Sequence, residues 1–157
     1  MNLADSTERE LVRAWTIEHW GAAYVITRGK RYEVDTLPGF WAENQAGNIG
    51  IITYRIERLE CEIVTLNSRR ERIGVGTTLI AAVQAAARSA GCRRLWLITT
   101  NDNTAALRFY QKRGFRLRAV YIDAIANSRR LKPEIPRFGN DGIEIRDEIE
   151  LDMEINP

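Results

Sequence analysis

Gly74-Val75-Gly76 marks the point where the character of the chain changes. Before it, Glu60 to Leu66 has the composition of a strand. After it, Leu79, Ile80, Val83, Ala86 and Ala87 recur at the intervals of one helix face. A side-chain-poor turn at a helix N-terminus lets backbone N–H groups converge on one point, where the helix dipole favours negative charge. The stretch from Arg69 to Thr77 therefore predicts an anion cradle, best suited to a phosphate-bearing cofactor. Beyond the helix, Leu95-Trp96-Leu97-Ile98 is a continuous apolar run, as in a strand covered on both faces. Strand, glycine turn, helix and strand make a crossover, whose hand is right in nearly all proteins.

The remaining elements follow from periodicity and turn chemistry. Thr7 to Glu10 has capping-box spacing, and Leu11, Val12, Trp15 and His19 predict a helix from Glu8 to Trp20, stopped by Gly21. Tyr24 to Thr27, Tyr32 to Val34, Phe40 to Glu43, Ile49 to Ile56 and Glu60 to Leu66 read as an antiparallel meander. In the second half, Asn101-Asp102-Asn103 caps a helix from Thr104 to Arg113, and Phe115 to Ile122 returns as a strand. Residues from Asn127 to Gly142 carry Pro133, Pro136 and Gly139 and read as a long loop. Ile149, Leu151, Met153 and Ile155 alternate with Glu150, Asp152 and Glu154, which predicts a half-buried last strand. The expected architecture is a single α/β (α+β) domain over residues 1–157, with mostly antiparallel strands and one crossover.

Composition narrows the function. The chain is 45% apolar and 28% charged, the balance of a folded domain. Its net charge of +2 is too small to indicate nucleic acid. Basic residues nevertheless gather at Arg69, Arg70 and Arg72, and acids dominate from Asp141 to Glu154. No apolar run reaches the length of a membrane span, so no membrane partner and a cytoplasmic location are expected. One histidine and two cysteines without C-x-x-C spacing argue against a metal. Cys61 and Cys92 lie in or beside apolar runs and are expected as buried thiols.

Three kinds of glycine loop compete for the turn. A dinucleotide fingerprint wants glycine or alanine where Leu79 stands, and an acid ending the next strand. A nucleotide P-loop wants a lysine after the last glycine, where the chain has Thr77. The third fits more of the chain. Leu66 to Leu79 resembles the acyl-CoA pyrophosphate loop of the GNAT superfamily of N-acetyltransferases, Q/R-x-x-G-x-G/A. Asn103 to Phe115 resembles that family's N-x-x-A-x-x-x-Y-x-x-x-G-F segment. The two blocks, separated by one helix and one strand, form the specific signal, and the resemblance covers Ile49 to Ile122. It departs at Glu71, where the family carries Gln or Arg.

The resemblance implies a GNAT-like mixed, mostly antiparallel central sheet with flanking helices. It implies transfer of an acetyl group from acetyl-CoA, as cosubstrate and without metal, to the amine of a small molecule or peptide by direct attack in a ternary complex. A GNAT-fold module that binds acyl-CoA without turnover is the reading from another class. By resemblance, Leu66, Arg72, Ile73, Gly74, Val75, Gly76, Thr77, Asn103, Ala106 and Tyr110 meet the cofactor. Tyr110 would protonate the departing thiolate; its alternative is core packing beside Ala106 and Phe109. Glu62, favoured, and Glu60 are the general-base candidates, and alternation puts both on one face of their strand. A backbone N–H near Leu66, at a bulge, would meet the oxyanion. The first helix, the turn from Thr27 to Tyr32 and the loop after the penultimate strand would form the acceptor side, with Asp141, Glu144 and Asp147 drawing a cationic amine. Homodimers are common in the family.

Overall fold

The computed structural model describes residues 6–45, 47–69 and 74–156, the side chains of Ser6 and Thr7 excepted. Arg70, Glu71, Arg72 and Ile73 lie outside that set, and with them the cofactor-binding expectation for Arg72 and Ile73. The chain forms two compact units, one of Met1–Val25, Tyr32–Leu95 and Glu154–Pro157, the other of Ile26–Arg31 and Trp96–Met153.

The first unit holds the first helix and the last three strands of the predicted meander; the first two strands pair with each other in a separate two-stranded sheet, which corrects the reading of one meander. The unit runs α1 (Ser6–Trp20), the start of β1 (Tyr24–Thr27), the end of β2 (Lys30–Glu33), β3 (Gly39–Asn44), β4 (Gly47–Glu57), β5 (Glu60–Ser68) and α2 (Val75–Ser89), and it holds the start of β6 (Arg94–Thr100). Strands β3, β4 and β5 are antiparallel neighbours. Val12 and Trp15 of α1 pack with Val25, Val34 and Ile51, and Tyr32, Trp41 and Val64 close around them. Leu79, Ile80, Val83 and Ala87 are the buried stripe of α2, the face its periodicity predicts. Cys61 and Cys92 are buried free thiols, as expected.

The second unit carries the rest of β6, then α3 (Thr104–Gln111), β7 (Arg116–Tyr121), α4 (Ala124–Leu131) and most of β8 (Glu148–Glu154). Its strand order is β6–β8–β7, and β7 and β8 are antiparallel. Helix α4 corrects the sequence reading, which gave residues from Asn127 onward to a loop. Only Ile125 and Ser128 of this helix are buried, so its apolar period is too sparse to register. Glu150 corrects the last-strand reading, since it is buried beside Glu148 and does not face solvent. No helix among the described residues is long and apolar enough to cross a membrane.

The register between β4 and β5 is set at their turn. Glu57 pairs with Glu60, so the loop is only Arg58 and Leu59. Both hold positive φ, 50° and 64°, as a two-residue hairpin of type I′ requires. From there Arg55 falls opposite Glu62. Thr53 then pairs with Thr65 and Tyr54 with Ile63, which leaves Val64 as one extra residue on β5. Directly opposed residues share a face. The extra residue therefore changes which β5 positions face α1, from Glu60 and Glu62 before the bulge to Thr65 and Asn67 after it.

Non-glycine residues in the left-handed region are strained by about 1–2 kcal/mol each, and glycine's greater unfolded freedom returns roughly 0.4–1 kcal/mol. Replacing Arg58-Leu59 with Asn-Gly is therefore expected to stabilise the protein by about 1 kcal/mol. The measurement is the urea midpoint at unchanged m-value; a lower midpoint would show that this turn carries no such strain.

Candidate active site

Helix α2 opens on Gly74, which has φ 86°, a conformation open to glycine at little cost. Its carbonyl accepts the first helical bond, from Thr78 N at 3.0 Å, and the Thr78 hydroxyl at 3.2 Å. The amides of Val75 and Gly76 precede that bond and have no acceptor within the helix. This is the described part of the predicted cradle, with Thr77 in the same first turn. Arg69 is turned towards α1. It pairs with Glu18 at 2.9 Å and lies 4.5 Å above the Trp15 ring. Trp20 donates its indole N–H to Asn67 at 2.7 Å, so two bonds strap α1 to the end of β5. His19 stacks on Trp15, as a packed histidine.

The α1-facing side of β4 and β5 carries the base candidates. Glu62 is only 2% exposed, and its carboxylate accepts from Arg55 Nε at 2.5 Å. Arg55 also reaches Glu57 through Nη1, and its guanidinium carbon lies 5.1 Å over the ring of Tyr32. The Tyr32 hydroxyl titrates above its ordinary value, first because it is buried and then because of the Glu62 charge. Glu60 shares this face, as alternation predicted, but its half-exposed carboxylate pairs with Arg94 at 3.2 Å. Trp41 stands opposite Ile51, edge-on to Trp15 at 5.8 Å. The bulge lies at Val64 and not beside Leu66, which pairs regularly with Ile52. The extra residue is taken up between two well-made pairs, where the Thr53 and Thr65 hydroxyls bond at 2.7 Å.

In the second unit, α3 carries the remaining candidates. Asn103 caps it by accepting the Ala106 amide at 3.1 Å. Tyr110 is buried, edge-on to Phe109 and Phe115 at 5.1 and 5.4 Å. Burial pushes its phenol well above the usual tyrosine range, against a smaller opposing effect of Arg113. Its hydroxyl has no hydrogen-bond partner among the described residues. Asn101 and Asp102 do not cap α3, as expected of them; they hold the chain after α4. Asn101 donates to Glu144 O and accepts from the amides of Arg146 and Asp147. Asp102 accepts from Asn140 N and Nδ2 at 3.0 and 3.1 Å.

The acids expected to draw an amine have other partners in part. Asp147 is buried, accepts from Asp123 N at 2.9 Å and pairs with Arg146. Glu144 pairs with Arg137, and Asp141 is exposed. Sequence reading missed the most buried acid of this unit. Glu148, 2% exposed, accepts from Arg28 N at 3.3 and 3.2 Å and from Ser128 Oγ at 3.3 Å. The Arg28 guanidinium lies 3.6 Å from it and 3.3 Å over the Tyr121 ring, and the Tyr121 hydroxyl donates to Glu150. The turn, α4 and β8 thus meet on one carboxylate. The only sequence signal was Arg28-Gly29, a turn adjoining a strand.

These units supply an amide cradle at a helix start, a buried carboxylate held by a guanidinium, and a buried phenol that keeps its proton. A model of the acetyltransferase (GNAT) family matches residues 5–115. The uncharacterized protein YdhI of Bacillus subtilis (strain 168) is 47% identical over 133 residues, 84% of this chain and 83% of its own. Among solved structures, an IAA acetyltransferase from Bacillus cereus ATCC 14579 is 26% identical with a TM-score of 0.65, over 74% of this chain and 76% of that one. A GNAT family acetyltransferase from Elizabethkingia anophelis with acetyl-CoA bound is 26% identical with a TM-score of 0.62, over 73% of each chain.

The clamp on Asp102 leaves no room beside it. A Cβ on Gly139 would stand 2.0 Å from Asp102 Oδ2 and 2.9 Å from Ile145 Cδ1. Gly139→Ala is expected to cost about 1–3 kcal/mol and to speed amide hydrogen exchange at Asn140, Ile143 and Ile145 ahead of β4. Exchange unchanged at those amides would show that the clamp does not order this segment.

Proposed function

Because the chain belongs to the acetyltransferase (GNAT) family, we propose that it moves the acetyl group of acetyl-CoA onto the amine of a small molecule or peptide, by direct attack in a ternary complex. The observation that carries the reading is Tyr110. A buried phenol whose pKa is raised by burial stays protonated at neutral pH, and its hydroxyl is not engaged by any described residue.

Each remaining need of the reaction has a residue. The amides opening α2 at Val75, Gly76 and Thr77 suit the pyrophosphate, with no side chain in the way at Gly74 or Gly76. Asn103, already the cap of α3, and the neighbouring Ala106 are assigned to the pantetheine side. The amine nitrogen bonds to the thioester carbonyl carbon, and the C–S bond breaks. The nitrogen's proton passes to Glu62, directly or through water, and the sulfur accepts a hydrogen bond and then the proton from Tyr110. Glu62 is preferred to Glu60 because it is the buried one, near Tyr32. The irregular backbone at Val64, near Leu66, is the favoured source of the amide that meets the oxyanion.

Tyr110→Phe is expected to lower kcat about 100-fold while changing the Kd for acetyl-CoA less than about threefold. Thiol release over a panel of amines gives the first quantity and isothermal titration the second. An unchanged kcat would return Tyr110 to a packing role. Coenzyme A binding without release on any amine would make the protein a binding module, and no binding would end both readings.

A further inference from the structure

Glu62 is not simply a buried acid, and the groups around it are unusual for a base. On β4, Arg55 meets it through Nε and turns Nη1 to Glu57, whose side chain is half exposed. On β2, the Tyr32 ring lies beneath the same guanidinium. On β5 itself, the next acid on this face, Glu60, is paired with Arg94. The thiol of the adjacent Cys61 is pushed up to about 12 by burial, by Cys92 and by the Glu62 charge. Among these groups Arg55 is the cation in contact with Glu62. Arg55's own side chain is four-fifths buried, so water screens the contact poorly.

We infer that Arg55 is a positioning residue for acetyl transfer: it holds Glu62 charged and in one rotamer, so the acid limb of the rate–pH profile belongs to the acceptor amine and not to the enzyme. The inference rests on the reading of Glu62 as the base. A carboxylate in a buried place, left alone, favours its neutral form and is a poor acceptor for an N–H proton at moderate pH. A guanidinium hydrogen-bonded to it reverses that preference. The base so made is weaker, and the reaction tolerates this, because the nitrogen turns strongly acidic as it bonds to the carbonyl carbon. What the step needs from Glu62 is charge and placement. Arg55 supplies both through the fork geometry that a lysine lacks. Its second arm, on Glu57, fixes the fork against β4.

The test measures kcat/KM against pH for the full-length wild type, Arg55→Met, Arg55→Lys and Glu62→Gln, with acetyl-CoA and two primary amines about two pKa units apart. In the wild type the acid limb should move with the amine, by about two pH units. In Arg55→Met the limb of the more acidic amine should rise by about one unit or more, so that the two limbs stand no more than about one unit apart, with kcat down tenfold or more. Arg55→Lys should keep the wild-type limb and lose a fewfold in kcat; should Arg55→Met not fold, the wild-type limb alone decides. A wild-type limb that ignores the amine, or an Arg55→Met profile that superposes on the wild type, overturns the inference. Slow turnover in Glu62→Gln alongside such a superposition removes Arg55 alone. Full turnover in Glu62→Gln removes the base assignment and the inference with it.

Discussion

One extra residue in β5 decides what the first unit can present to chemistry. A regular strand from Glu60 to Ser68 would put Glu62, Val64 and Leu66 on the α1 side and send Thr65 and Asn67 to the other. The bulge at Val64 gives the α1 side Glu62 below it and Thr65 and Asn67 above it. Each has work on that side. Glu62 meets Arg55, Thr65 meets Thr53, and Asn67 takes the indole of Trp20 from the end of α1. The ladder stays paired on both sides of the irregularity, so the break is local and the strand continues to the glycine turn. A bulge can leave a backbone amide outside the ladder, and the proposed oxyanion contact draws on such an amide.

Buried charge is the second constraint. Each unit hides a glutamate almost completely, and each answers the desolvation cost with an arginine and with further polar groups. Around Glu62 the arginine comes from the same β4–β5 hairpin, and the contact is close enough to orient the carboxylate. Around Glu148, itself on β8, the partners come from the turn after β1 and from α4, and the guanidinium is more distant at 3.6 Å while backbone N–H and a hydroxyl do much of the bonding. The first arrangement sets the state of one group. The second ties three segments together, and a buried ion pair of this kind adds more to their mutual placement than to stability.

The elements and the family signal were legible because they rest on local rules. Gly74-Val75-Gly76 and Asn103 to Phe115 work through turn conformation, capping and helical spacing, all of which a single stretch of chain contains. The β4–β5 pairing was not legible, although its result was near at hand. Once the loop is known to be two residues, Arg55 must face Glu62. Arg58-Leu59 hides that loop, because it adopts a conformation that Asn-Gly would have announced. The bulge left no mark either, since Val64 is an ordinary strand residue. Glu150 was misread for a different reason. Alternation predicts which way a side chain points, and not whether a tyrosine hydroxyl waits there to bond it. Asn101 and Asp102 were read as caps because their type suits capping, whereas their partners lie some 40 residues on, beyond any local rule.

Acetyl transfer asks for a proton donor and a proton acceptor in one reaction at one pH. A phenol and a carboxylate of ordinary pKa already hold those states at neutral pH, so the informative comparison is how burial bears on each. Tyr110 lies among Phe109 and Phe115, where ionisation is costly, and Arg113 opposes this less than burial promotes it. Its proton stays in place until a charge develops beside it. Glu62 is as thoroughly buried, yet a guanidinium sits on its carboxylate. Burial thus raises the pKa of the phenol on α3, while the equally buried carboxylate on β5 has a guanidinium in contact with it. In the proposed reaction, that difference is what suits Tyr110 to the role of donor and Glu62 to the role of acceptor.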